Sequence, residues 1–92
     1  MAYKTIEEIY PMTLVCDRYD GTYSGGRYTA WMCDPWDVPV EIEESDRPCA
    51  LFWDNYTLPV GKGTTPLQAM EDLRIKINEF NEETHKRYGL LE

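Results

Sequence analysis

Two stretches of this chain hold residues that could do chemistry by their type and spacing. The first runs from Asp34 to Asp46, where Asp34, Asp37, Glu41, Glu43, Glu44 and Asp46 place six carboxylates in thirteen residues with no base among them. Trp36 stands inside that run. Carboxylates at this density resemble a phosphate backbone to a basic protein, and a large indole can anchor the contact. The plainer account is a solvated connection between strands, with Trp36 folded back onto the core. The second stretch surrounds a Gly-rich turn, with Tyr23, Arg27, Tyr28 and Trp31. A guanidinium for phosphate and rings for base stacking would suit a nucleotide or related signal. Sites of that kind are often built between subunits, so a homodimer would favour it. The plainer account is a hairpin whose rings fill a small core.

Catalysis finds no comparable set. The single histidine, His85, falls near a helix C-terminus, where a cation suits the helix dipole. No nucleophile motif adjoins it, and a D-x-D-x-D-G metal loop is absent. Asp17, Asp20 and Asp34 could form a nuclease-like cluster, but nothing in their spacing selects them. Gly61-Lys62-Gly63-Thr64-Thr65 precedes a helix and invites a phosphate-loop reading. That motif needs a glycine where Tyr56 stands and a Ser or Thr directly after the lysine, so it fails. Lys62 with amides near Thr64 and Thr65 could hold an anion weakly, although capping by Thr65 and Gln68 competes for those amides. The expectation is a chain that is not an enzyme and takes no cofactor or metal.

Composition bounds the partners. At 92 residues the chain is long enough for one domain, residues 1–92, with a modest core. A net charge of −8 argues against direct binding to nucleic acid or to an anionic membrane, since both repel it. It suits a basic protein partner, or solubility alone. Cys16, Cys33 and Cys49 are odd in number, spaced 17 and 16 residues apart, with no CxxC pattern. They read as buried, reduced thiols of a cytoplasmic protein. No apolar run is long enough to span a bilayer, and no targeting segment is visible.

The elements that position these residues follow from local patterns. Thr65 as N-cap, Pro66 at the first helical position and Gln68 completing a capping box open a helix that runs to Gly89. Leu67, Met70, Leu73, Ile77 and Phe80 form its apolar stripe. Asp72 with Lys76, Glu82 with Lys86 and Glu83 with Arg87 make i,i+4 pairs in the favourable order. Thr5 to Glu8 suggests a capping box over one short turn. Met12 to Tyr19 alternates as a strand, with Met12, Leu14 and Cys16 on one face. Arg27 to Cys33 reads as the returning strand, joined to it by a flexible, polar tip centred on Tyr23. Cys49 to Trp53 is a short apolar run read as a buried strand, and Tyr56 to Val60 as an edge strand. The predicted fold is α+β, a small antiparallel sheet of three to four strands packed on one long C-terminal helix as a two-layer sandwich.

Gly61 to Ile77 (GKGTTPLQAMEDLRIKI) resembles the segment of HicB-type antitoxin domains in which a strand ends in G-D-T-P-E-E-A-L and a helix follows. Tyr10-Pro11 at the start of the first strand and the Gly-rich hairpin are also similar to that family. The resemblance covers about two-thirds of the chain and implies a small sheet backed by a helix that binds and masks a small ribonuclease toxin. Two departures stand out. The short turn after the second strand is replaced by the acidic stretch Asp34 to Asp46, and no DNA-binding segment follows the helix within these residues. The implied role is a protein inhibitor, antitoxin-like or a phage-encoded inhibitor of a host nuclease or defence complex, acting in the bacterial cytoplasm.

Overall fold

The computed structural model describes the backbone of residues 2–88 and the side chains of residues 2–83. β1 (Thr13–Cys16) pairs antiparallel with β2 (Tyr28–Trp31), Thr13 facing Trp31 and Cys16 facing Tyr28. β3 (Gly61–Gly63) pairs antiparallel with the other edge of β2, Gly61 opposite Ala30, so the sheet order is β1-β2-β3. Two α-helices, α1 (Asp46–Asn55) and α2 (Pro66–Tyr88), complete the regular structure. Short 3-10 turns occupy Ile6–Glu8, Pro35–Asp37 and Val40–Glu43. The fold is the expected α+β arrangement, a three-stranded antiparallel sheet packed on a long C-terminal helix.

Local chemistry sets the start of α2. Gln68 N–H donates to Thr65 Oγ1 at 3.2 Å, the N-cap bond. The return bond is shifted by one residue: Gln68 Oε1 accepts from Thr64 N at 3.1 Å, not from Thr65. Further along, Asp72 pairs with Lys76 at 2.8 Å and also accepts the Lys62 N–H at 2.8 Å. Lys76 Nζ donates to Val60 O at 3.2 Å. These contacts occupy polar groups along an edge strand that would otherwise invite pairing by another chain. The partners expected for Glu82 and Glu83, the His85 side chain and Gly89 lie outside the described residues.

The buried face of α2 differs from the predicted stripe. Ala69, Leu73 and Ile77 are buried against Ile9 and Ala30, with Met70 half-buried beside them. Leu67 is 61% exposed and Phe80 40% exposed. The cause is β3. Gly61 and Gly63 carry no side chains, and a Cβ on Gly61 would lie 2.0 Å from Ala69 O. The helix therefore docks through its smallest residue. Leu67, two residues before Ala69, falls almost on the opposite side of the helix. Phe80 shares the buried side but overhangs the end of the short strand.

The second face of the sheet holds another core. Trp31, Ile42 and Val60 are buried there, with Val15, Val38, Phe52, Trp53 and Tyr56 packed around them. This corrects the expected strand at Cys49 to Trp53, which is the middle of α1. The expected strand at Tyr56 to Val60 is instead irregular chain leading into β3. Cys49, Phe52, Trp53 and Tyr56 recur at i, i+3, i+4 and i+7, the spacing of one helix face. Pro48 is tolerated because it lies in the first turn, where its missing N–H has no helical partner. The alternation read for β1 is present, with the packing on the Val15 side. Leu14 and Cys16 are exposed, and Val15 packs inward. α2 leans mainly on β2 and β3, so the outer strand overhangs it.

Candidate functional site

The acidic stretch is held at its middle, where Val38 packs on the second core, and near its end. Its prolines exclude longer helix or strand, and the chain takes two 3-10 turns instead. Ile42, 4% exposed, pins the second turn into the aromatic core. Trp36 does not fold back. It is 79% exposed, which corrects the plainer account in which this ring joins the core.

The hairpin tip reaches the far end of the same stretch. The Arg18 guanidinium donates to Glu43 O, and Tyr19 Oη donates to Glu44 O at 2.6 Å. Tyr23 meets the Tyr19 ring edge-on, with centroids 5.2 Å apart. Desolvation, with Asp46 adding to it, raises the Tyr23 phenol above its ordinary pKa. Tyr23, Glu43, Glu44 and Asp46 are thus brought together. Asp34 and Asp37 flank Trp36 around the first turn, near Cys33, whose thiol burial and these two carboxylates push up. Glu41 lies on the turn between the two groups. Among the described residues, none of the six carboxylates has an ion-pair partner. The tip itself is ordered by hydrogen bonds, not loose: Asp17 Oδ2 accepts from Tyr19 N and Gly21 N at 3.1 and 2.6 Å.

The four residues of the hairpin ligand set do not form one pocket. Tyr28 packs on the α2 side of the sheet and Trp31 on the α1 side. Trp31 is 3% exposed, and its Nε1 donates to the buried Thr29 Oγ1 at 2.9 Å. Arg27 is exposed and pairs with Asp20 at 3.4 Å. The aspartates Asp17, Asp20 and Asp34 likewise do not gather: Asp17 serves loop amides and Asp20 faces Arg27. Of the cysteines, only Cys49 is buried; Cys33 is half-buried and Cys16 exposed, a correction to the expectation of three buried thiols.

What sequence reasoning missed is the ring cluster made by α1 with β2. Trp31 lies 6.3, 5.6 and 5.6 Å from Phe52, Trp53 and Tyr56. Phe52 stacks on Tyr56 at 4.7 Å. Beside it, the C-terminal end of α1, β3 and the middle of α2 line an open surface cavity of about 310 Å³. Lys62 does not point at the amides of Thr64 and Thr65. Its ammonium sits 5.0 Å from the centre of the Trp53 ring, on the wall of that cavity. Compared with protein-family models, with curated proteins and with solved structures, the chain finds no match.

Proposed function

We propose that this chain is a non-catalytic binding protein that masks a basic, nucleic-acid-binding surface on a protein partner, such as a nuclease or a defence complex. The observation that carries the reading is Trp36, 79% exposed between Asp34 and Asp37 in a run of carboxylates that, among the described residues, have no ion-pair partners. Uncompensated carboxylates steer a basic partner to the surface and set the charge match. A large ring held among them supplies the contact area that carries binding energy. Ile42 and the bonds from Arg18 and Tyr19 hold the stretch before a partner arrives, which lowers the ordering cost of association. The HicB-type resemblance supports the same reading, since it implies a small sheet backed by a helix and a masked ribonuclease.

The test is capture of the partner from bacterial host lysate on the tagged chain, at low and moderate salt. A basic nucleic-acid-binding protein that is retained at low salt and released at moderate salt is expected. Trp36→Ala should weaken the captured complex at least about tenfold, the effect of losing one central anchor. Retention indifferent to salt, or an unchanged affinity for Trp36→Ala, would sink the reading.

A further inference from the structure

The cavity beside the ring cluster lies apart from the acidic stretch, and its charges can be counted group by group. Lys76 is committed, bonded to Asp72 and to Val60 O. Lys62 is not. Among the described residues, no carboxylate lies within ion-pair distance of its ammonium, which rests over the Trp53 ring. Burial and the charge of Lys76 outweigh the attraction of Asp72 and hold that ammonium below its ordinary pKa. A half-buried ammonium whose neighbouring carboxylate, Asp72, is already paired with Lys76 gains from an anion that reaches it. The rest of the wall has two characters. Tyr56, Pro59 and Phe80 offer rings and apolar surface, and Glu79 and Glu83 offer acceptors.

We propose that this cavity binds a small molecule with one negative charge, a flat ring and N–H or O–H donors. The anion pairs with Lys62, the ring lies along Tyr56 and Phe80, and the donors turn to Glu79 and Glu83. A volume of about 310 Å³ is at the small end of ligand sites, enough for one ring and its substituent. The same two glutamates disfavour a polyanion. This chemistry is shared by a cyclic mononucleotide, whose phosphodiester carries one charge, and by an aromatic amino acid, whose carboxylate does. Phe80, which overhangs the end of β3, lines this cavity with part of its ring exposed.

Titration of the full chain with 3′,5′-cyclic AMP and, separately, with L-phenylalanine tests it. The readout is the indole N–H resonance of Trp53, assigned by comparison with Trp53→Phe. One of the two ligands should move that resonance saturably, leave Trp36 unmoved, and bind better than ATP. Movement with cyclic AMP identifies the phosphodiester as the anion; movement with phenylalanine identifies the carboxylate. Lys62→Met keeps the aliphatic stem and should weaken binding at least about tenfold, while Lys62→Arg should retain it. No movement with either ligand at millimolar concentration, or equal affinity for Lys62→Met, overturns the proposal.

Discussion

One absent Cβ determines where the long helix lies. Gly61 meets Ala69 and Leu73 so closely that any side chain there would enter the helix backbone. Gly61→Ala should therefore cost at least about 3 kcal/mol, more than ordinary overpacking, because the clash is with backbone that cannot change rotamer. Urea denaturation would read this as a lower midpoint at an unchanged slope. The three thiols provide a second test at the scale of single residues. Under native conditions an alkylating agent should modify Cys16 first and Cys49 last, with peptide mapping by mass spectrometry as the measurement. Cys49 has no exposed surface, and burial holds its thiol above the ordinary pKa, so the reactive thiolate is scarce there. Labelling of Cys49 as fast as Cys16 would mean that α1 does not stay packed.

The elements divide by how local their signals are. α2 begins where Thr65, Pro66 and Gln68 say it should, and the cap is testable: Thr65→Ala should cost about 1 kcal/mol. In a domain of this size that is a fall in Tm of roughly 4–8 °C. An unchanged Tm would mean that Thr64, which also holds Gln68, carries the cap alone. α1 was legible in principle, from Ser45 ahead of an acidic first residue and from the helical spacing of Cys49, Phe52, Trp53 and Tyr56. Its inner run, CALFW, is too short for periodicity to separate helix from buried strand, and the ring-rich composition favours a strand. The choice falls to packing, because the helix brings Phe52, Trp53 and its C-cap residue Tyr56 together against Trp31.

At the scale of the whole molecule the buried titratable groups set an alkaline limit. Burial raises Cys49, Cys33 and Tyr56 above their ordinary values. The unfolded chain ionises its cysteines near the ordinary value of 9.0, while the folded chain keeps those protons. The stabilisation is thus complete below that pH and is lost as pH rises toward the raised folded values. Lys62 acts in the opposite sense, since its folded pKa is lowered and its burial becomes cheaper at high pH. Two thiols and a phenol act against one amine, and the expected outcome is a denaturation midpoint that falls above about pH 9. A midpoint that rises there would show Lys62 to dominate.

By itself the sequence determined the start and course of the C-terminal helix, the hairpin and the α+β class. These rest on caps, turn residues and i,i+4 pairs, whose partners are a few residues apart and need no other element. The composition of the acidic stretch was equally plain, and so was the absence of a complete phosphate loop. Tertiary structure decided the rest. Leu14 is exposed and Val15 half-buried because α2 leans on the glycine strand instead of β1. Trp36 stays outside because Ile42 and the α1 rings already fill the second core. Lys62 turns from the helix N-terminus to the Trp53 ring because Gln68 and Thr65 satisfy the capping bonds there, and β3 directs its side chain toward α1. Each of these outcomes depends on which distant segment occupies a shared space, and spacing along the chain does not encode that.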